Sequence, residues 1–318
     1  LEPHSPVEYN LSFSSKGCSE WSCVIGNIKR FKDGYIRIYG DSEEIIHTDL
    51  RATLLTRSGN EAIVRFEWNP EYTFAQILDI CGKVPIPPYL KRDSESEDIE
   101  RYQTVYAINR GSVAAPTAGL HFTDNVLNTL NNRGINIERL SLHVGAGTFV
   151  PVKSELVSDH IMHAEPFTVS LSFLKRLRSQ LGSGKVVAVG TTSARTLESL
   201  YYLGCRSISG QKPDFTDQWE PYESSYEISV EDSISALIKW VEDNGLNELT
   251  SRTRIIIVPG FKFRLTDILI TNFHQPQSTL LLLISAFIGE LWREAYDYAL
   301  NNGFRFLSYG DSSIMFRN

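Results

Sequence analysis

The chain of 318 residues lacks several features that mark particular classes of protein. The longest apolar run, residues 280–288, is interrupted by Ser285 and is far shorter than the roughly 20 residues that cross a bilayer. No basic and then apolar segment marks a signal peptide. Cysteines are few, and their scatter is typical of reduced cytosolic thiols rather than a disulfide framework (Cys18, Cys23, Cys81, Cys205). We therefore expect a cytoplasmic protein without membrane attachment.

Positive charge is also scarce. The 31 Lys and Arg residues stand against 38 Asp and Glu, and the net charge of −7 at first argues against a nucleic acid partner. However, residues 211–250 contain ten acidic residues and only Lys212 and Lys239, so this segment carries −8 and the rest of the chain +1. Basic clusters remain at residues 29–32, 91–92, 175–178 and 262–264. The distribution of charge therefore permits a nucleic acid partner.

The first part of the chain has the pattern of a small β domain. Short stretches rich in β-branched and aromatic residues alternate with turn residues, which predicts a small antiparallel β-barrel or sandwich at residues 1–82. The stretches are residues 21–25, 35–39, 52–55 and 62–66. Prolines at residues 85–88 and an acidic stretch at 93–100 then interrupt the pattern and indicate a domain boundary.

Residues 83–318 alternate strand and helix patterns, which predicts an α/β domain with a mostly parallel sheet. Helices are predicted to start at Thr123, Ser229 and Ser278, where a capping residue precedes an apolar repeat. The predicted strands are residues 135–144, 185–190, 254–258, 267–271 and 304–308. An acidic segment at about 206–251 contains its own predicted helix. Ligand sites in such sheets lie beyond the carboxyl ends of the strands.

Residues 114–123 lead through small side chains and His121 into a helix start. Small residues let a ligand approach the backbone, and a helix N-terminus favours a carboxylate or phosphate. The alternative is a tight structural connection in which His121 is a hydrogen-bonded polar residue.

Residues 142–149 place Gly145 and Gly147 after a predicted strand. The third glycine of a dinucleotide-binding motif is missing and Pro151 follows too soon, so this signal is weak. The loop either admits an adenosine or sugar edge or is a plain β-turn.

Residues 159–165 contain His160, His163 and Glu165. Two histidines and a glutamate resemble a metal site, but histidines three apart on an extended chain point to opposite faces. Proton transfer by a His/Glu pair is the favoured interpretation, because histidine titrates near neutral pH. No metal is expected.

Residues 190–198 place three hydroxyls at a strand-to-helix turn, followed by Arg195. Helix capping accounts for one of the hydroxyls. Three hydroxyls and an arginine together indicate a site for an anion or a ribose.

The segment at residues 111–123 closely resembles a signature of the S-adenosylmethionine:tRNA ribosyltransferase-isomerases, which act in the queuosine pathway. The resemblance is collinear over roughly residues 85–312. The matching segments are residues 87–89, 100–106, 143–149, 159–163, 189–193, 195–199, 259–261, 267–274, 278–280 and 306–311.

The resemblance implies a large α/β domain that carries a small inserted β-barrel. It also implies transfer and isomerisation of the ribosyl unit of S-adenosylmethionine onto 7-aminomethyl-7-deazaguanine at the wobble position of tRNA. The product would be epoxyqueuosine-tRNA, with adenine and methionine released. The implied partners are therefore S-adenosylmethionine, as ribosyl donor, and that tRNA.

Such a reaction needs a base for the proton beside the sulfonium, a donor for the departing adenine, and ligands for the methionine carboxylate and the ribose. The residues assigned to proton transfer and its tuning are His121, His143, His163, Glu165, Asp267 and His274. The assigned substrate ligands are Thr117, Gly145, Gly147, Thr148, Thr191, Thr192, Ser193, Arg195, Glu198, Asn272, Ser278, Thr279 and Asp311.

Three features depart from the family pattern. The family's N-terminal segment is expected to be missing, and Gln275 and Gln277 differ from the usual residues beside His274. The acidic segment at about 206–251 is longer than usual and is expected to be an insertion. The departures leave open a paralogue of the same fold. It would be either a tRNA-binding protein without catalysis or an S-adenosylmethionine-dependent enzyme with another acceptor.

Overall fold

The computed structural model describes residues 2–26, 28, 31, 34–38, 40, 42–58, 61–83, 86–95, 97–107, 115–142 and 156–317. The chain divides into two compact units, Leu1–Ile99 and Glu100–Asn318. Helices and strands are mixed in both units, which confirms the α/β class in its coarse form. Among the described helices, none is both long and apolar enough to cross a membrane.

The first unit contains one antiparallel sheet. Its strands are β1 (Glu2–Ser5), β2 (Cys18–Val24), β3 (Tyr35–Arg37), β4 (Arg51–Ser58) and β5 (Glu61–Glu67), in the spatial order β1-β2-β5-β4-β3. Its helices are α1 (Tyr9–Ser14), α2 (Glu43–Thr48) and α3 (Phe74–Cys81). Trp21 of β2 stacks on Phe74 of α3 with ring centroids 4.8 Å apart, and both are buried. These described strands form an open sheet rather than the predicted barrel.

A short helix, α4 (Asp98–Arg101), lies at the division between the units in the sequence. The second unit then contains strands and helices in alternation. Its strands are β6 (Ser141–Leu142), β7 (Glu165–Ser170), β8 (Val187–Val189), β9 (Phe215–Thr216), β10 (Glu248–Thr253), β11 (Ile268–Asn272) and β12 (Ser312–Phe316). Its helices are α5 (Asp124–Asn132), α6 (Leu171–Gln180), α7 (Thr191–Ile208), α8 (Glu220–Glu223), α9 (Val230–Asp243), α10 (Thr279–Ile288) and α11 (Leu291–Asn301).

The strands of the second unit form two sheets. One has the order β6-β7-β10-β9 and the other the order β12-β11-β8. Only the pairs β9–β10 and β8–β11 are parallel among the described strand pairs of this unit, and the other three pairs are antiparallel. The described sheets are therefore mixed, and they do not confirm a mostly parallel sheet.

The core of the second unit is built around α7, which is buried along most of its length. It packs closely on α9 because Gly204 has no side chain. A β-carbon there would overlap the Ser233 hydroxyl and lie 2.6 Å from the Ser233 carbonyl carbon. The Ser233 hydroxyl donates to the Tyr201 carbonyl at 2.6 Å, which joins the two helices.

The predicted helix starts are confirmed. Thr123, Ser229 and Ser278 each accept a backbone N–H in the first turn of α5, α9 and α10. The strand predicted at residues 304–308 is wrong, because the chain turns there through Leu307, at φ 71°, and β12 forms later.

The strand predicted at residues 254–258 is also wrong, since β10 ends at Thr253. The apolar residues that follow are mostly buried. The N–H groups of Arg254 and Ile256 donate to the carbonyls of Thr216 and Gln218, so the bonds of the β9–β10 pair continue beyond the end of β10 without forming a further strand. Of the strand predicted at residues 135–144, only β6 is present among the described residues.

Candidate active site

The carboxyl ends of β8 and β11 meet at one edge of the three-stranded sheet. Val189 pairs with Ile270 in parallel register, and the Gly190 N–H donates to the Ile270 carbonyl at 2.8 Å. Gly190 takes φ 92°, a conformation that favours glycine, and turns the chain directly into α7. The start of α7 and the end of β11 therefore lie side by side, at the edge where such sheets bind ligands.

A 3₁₀ turn, Thr117–His121, lies against this edge. A β-carbon on Gly190 would be 3.8 Å from the Ala118 β-carbon. Within the turn, Gly119 is buried against Tyr106, where a β-carbon would overlap the hydroxyl and lie 2.7 Å from Cζ. The small residues of this segment therefore permit close packing, and they bring His121 to the end of β11.

His121, Asn272 and Asp311 form the centre of the site. Asn272 is 2% exposed, and its Nδ2 lies 3.1 Å from His121 Nε2 and 3.4 Å from the Gly310 carbonyl oxygen. A carbonyl only accepts, so it fixes the amide with Nδ2 as donor to both groups. His121 Nε2 is then an acceptor, and the ring proton of the neutral imidazole lies on Nδ1.

Burial of the His121 ring favours this neutral form. Partial burial lowers the pKa of His121, and the nearby Asp311 carboxylate opposes that effect. The pKa of Asp311 is itself lowered, mainly by the Arg305 backbone N–H, which donates to Oδ2 at 2.7 Å. At neutral pH the site therefore presents a neutral imidazole close to an ionised carboxylate.

His274 follows the same strand but has a different environment. It is 9% exposed, its Nε2 lies 3.0 Å from the Thr271 hydroxyl, and its backbone N–H donates to the Tyr296 hydroxyl at 3.0 Å. Burial lowers the pKa of His274 to about 4. The ring is therefore neutral at physiological pH and is held within the protein.

Glu165 and Arg195 form a buried ion pair beside α7. Arg195 Nη1 donates to Glu165 Oε2 at 3.1 Å, and Arg195 Nε donates to the Ile255 carbonyl at 3.1 Å. Both side chains are less than a tenth exposed. Arg195 Nη2 is buried and has no hydrogen-bond partner within the described part of the chain. Arg195 lies four residues after Thr191, on the same face of α7.

The remaining hydroxyl candidates lie at helix starts. Thr191, Thr192 and Ser193 form the first turn of α7, with Thr191 buried and the other two half-buried. Ser278 accepts the Leu281 N–H and thereby caps α10, which begins at Thr279.

His163 is exposed and lies two residues before β7. The segment before it is held by Gln218, whose side chain bonds the backbone of His160 and Met162. Sequence reasoning missed Gln218, because a single polar residue in an acidic segment carries no motif.

Two predicted residues lie apart from this cluster. Asp267 precedes β11, so about 16 Å of strand separates it from Asn272. It accepts the Val186 N–H at 3.0 Å and pairs with Lys185 and Arg317. Glu198 is fully buried and accepts the backbone N–H groups of residues 264–266 at 2.7–3.2 Å.

Four predicted residues, His143, Gly145, Gly147 and Thr148, lie outside the described residues. In the portion of the chain that is described, no group of three or more His, Cys, Asp or Glu residues is arranged to hold a metal ion.

Comparisons with known proteins agree with the sequence motifs at this site. A family model described as a queuosine biosynthesis protein matches residues 3–315. The chain is 37% identical to the S-adenosylmethionine:tRNA ribosyltransferase-isomerase of Afipia carboxidovorans, over 100% of this chain and 78% of that relative. It is 38% identical to the enzyme of the same name from Citrifermentans bemidjiense, over 93% of this chain and 73% of that relative.

Among solved structures, the chain is similar to an S-adenosylmethionine tRNA ribosyltransferase of Thermotoga maritima. The match has 24% identity and a TM-score of 0.40, and it covers 94% of this chain and 71% of that structure. On the family model and the identity to the curated relatives, the chain belongs to the S-adenosylmethionine:tRNA ribosyltransferase-isomerase family of queuosine biosynthesis proteins.

Proposed function

We propose that this protein transfers the ribosyl unit of S-adenosylmethionine to 7-aminomethyl-7-deazaguanine at the wobble position of tRNA. The sugar is isomerised in the same reaction, giving epoxyqueuosine-tRNA and releasing adenine and methionine. Membership of the family supports this function. The observation that carries it is the group formed by His121, Asn272 and Asp311, which lies at the end of β11 beside the start of α7.

His121 and His163 are the residues we assign to proton transfer. His121 is neutral at physiological pH, and because its Nε2 accepts from Asn272, the N–H on its Nδ1 is left to donate a hydrogen bond to the departing adenine nitrogen. His163 is exposed and so is accessible to the proton on the carbon beside the sulfonium. His274, whose pKa is about 4, orients Thr271 in this proposal, because its ring is already bonded and buried.

The start of α7 is the proposed site for the methionine carboxylate or the ribose. The helix N-terminus favours negative charge, and the hydroxyls of residues 191–193 are donors and acceptors for a carboxylate or a diol. Arg195 Nη2 supplies a further buried donor, since its other nitrogens are engaged. Glu165 is the carboxylate proposed to face the sulfonium. Asp267 and Glu198 have their oxygens engaged elsewhere and serve as supports.

These assignments all fall in the second unit. We propose that the first unit, with a predicted boundary near residue 82, is an accessory domain of a cytoplasmic enzyme. Residues 206–251 are proposed to be an insertion in the catalytic domain.

The test is adenine release from S-adenosylmethionine, with tRNA that carries the deazaguanine precursor, with unmodified tRNA, and without tRNA. The proposal requires release only with the precursor tRNA. Release that does not depend on tRNA would indicate another acceptor, and no release would indicate a binding protein without catalysis.

Two substitutions test the residue assignment. His121→Gln and His163→Gln are each expected to lower kcat by about 100-fold or more, the usual contribution of a general acid or base. His163 is exposed and His121 is only partly buried, so the melting temperature is expected to change little. The matched control is His47→Gln, an exposed histidine of the first unit bonded to Tyr72, which should retain wild-type kcat. Full turnover by both site variants contradicts the assignment.

A further inference from the structure

The loop that precedes α8 is held in place by two arginine–carboxylate pairs. The Asp217 carboxylate accepts two bonds from Arg254, at 2.9 and 3.1 Å. The Glu220 carboxylate accepts two from Arg206, both at 2.8 Å. Such two-point pairs fix orientation as well as distance. Gln218 lies between the two acids in the sequence, so its backbone is held on both sides by these ion pairs.

Gln218 is itself buried, at 5% exposure, and its backbone carbonyl accepts the N–H of the buried Ile256 at 3.2 Å. Both the Nε2 and the Oε1 of its side-chain amide form hydrogen bonds. Nε2 donates to the His160 carbonyl at 2.6 Å, and Oε1 accepts the Met162 N–H at 2.9 Å.

This pattern of bonds imitates a neighbouring β-strand. Residues i and i+2 of an extended chain present their backbone groups on the same side, where a paired strand would bond them. A primary amide offers an N–H and a C=O side by side and so satisfies both groups. Glutamate has no N–H to donate and asparagine is shorter by one methylene, so glutamine is the side chain that makes both bonds.

The residue held in this way is the one before His163. On the other side of His163, Glu165 is fixed by Arg195 and by the ladder between β7 and β10. Residues 160–164 belong to no strand in the described chain. The Gln218 side chain therefore holds the backbone before His163, and the contacts of Glu165 hold the chain after it.

We propose that Gln218 is a positioning residue for His163, and that the acidic segment at residues 206–251 thereby serves the reaction site. The inference rests on the role in proton transfer proposed above for His163. Gln218 acts through the backbone of His160 and Met162 and not by contact with the substrate.

Hydrogen exchange tests the contact without reference to activity. Gln218→Met keeps a buried, flexible side chain of similar length but loses both hydrogen bonds. We expect the Met162 amide to exchange about 10-fold faster or more in this variant, since the bond protects it from solvent. Gln211→Met, an exposed glutamine of the same segment, is the matched control and should exchange as the wild type does. Unchanged exchange at Met162 in Gln218→Met overturns the inference.

Kinetics then test whether the contact acts through His163. Gln218→Met is expected to lower kcat for adenine release by about 30- to 100-fold, the cost of a displacement near 1 Å, with KM for S-adenosylmethionine changed by less than about 2-fold. In a His163→Ala background the same substitution should lower kcat by less than about 2-fold further. Equal losses in both backgrounds overturn the inference, because Gln218 would then act independently of His163.

The two kinds of failure are distinguishable. A wild-type protein that releases no adenine contradicts the proposed function, and with it the catalytic part of this inference. Adenine release by the wild type together with unchanged exchange or equal kinetic losses contradicts only the role of Gln218.

Discussion

The buried imidazole of His274 makes the stability of the second unit depend on pH. Burial lowers the pKa of this group from 6.5 to about 4 in the folded protein. Above pH 6.5 the ring is neutral in both the folded and the unfolded chain, and its contribution to stability is fully present. As the pH falls from 6.5 towards 4, the unfolded chain takes up a proton that the folded chain does not accept, so this contribution is lost.

The magnitude follows from the linkage between proton binding and folding. A pKa near 4 in the folded protein, instead of 6.5, changes the unfolding free energy by about 3 kcal/mol over the whole pH range. About 2 kcal/mol of this stability is lost between pH 7.5 and pH 5. His274→Asn removes the titrating group while keeping a polar side chain next to Thr271. We therefore expect the fall in unfolding free energy between these pH values to be about 2 kcal/mol smaller in the variant than in the wild type.

Urea unfolding at pH 7.5 and pH 5, followed by far-ultraviolet circular dichroism, measures this difference. The long helices α7 and α9 of the second unit contribute strongly to that signal. Other titrating groups are the same in both proteins and cancel in the comparison. Thr271→Ser keeps the hydroxyl bonded to His274 and should retain the wild-type pH dependence. Equal pH dependence in His274→Asn and the wild type would refute the reasoning.

Three further predictions concern other parts of the second unit. Gly119→Ala should lower the unfolding free energy by about 1–3 kcal/mol, because its β-carbon overlaps Tyr106; an unchanged melting temperature contradicts this packing. Glu165→Ala should cost about 3–5 kcal/mol in chemical unfolding, since it leaves the Arg195 guanidinium buried without its carboxylate. The double variant Glu165→Ala/Arg195→Met should recover much of the stability that Glu165→Ala loses. A double variant that loses as much stability as the two single variants together would contradict the ion pair. Ser278→Ala should cost about 1 kcal/mol in thermal unfolding through loss of the α10 cap, whereas Ser278→Asp should be nearly neutral.

Helix starts were predictable from the sequence because their signals are local. Thr123, Ser229 and Ser278 each bond an N–H three residues later, so the capping residue and its partner are visible in one short window. The strands β8 and β11 were predictable for a similar reason, since continuous β-branched runs between turn residues favour buried strands.

Strand pairing was not predictable in this way. Residues 254–258 have the apolar pattern of a buried strand and are mostly buried. The strand forms before them, as β10, and only the N–H groups of Arg254 and Ile256 continue its bonds to residues 216 and 218. An apolar pattern reports that side chains leave water, but it carries no information about which backbone groups pair. For the same reason, the closing strand was predicted at residues 304–308 and forms at β12.

The candidate active site depends both on residue types, which the sequence shows, and on distances, which the fold sets. The sequence alone identified the family motifs and nominated His121, Asn272, Asp311 and Arg195, because the residue types that the reaction needs stand at predicted strand and helix ends. Only the tertiary structure decided which of them meet. It joins His121 to Asn272 across 151 positions, leaves Asp267 at the opposite end of the strand that carries Asn272, and brings in Gln218, which no motif marked. The physical reason is that chemical identity is a property of each residue, whereas distance, burial and the resulting pKa values arise only when remote segments pack together.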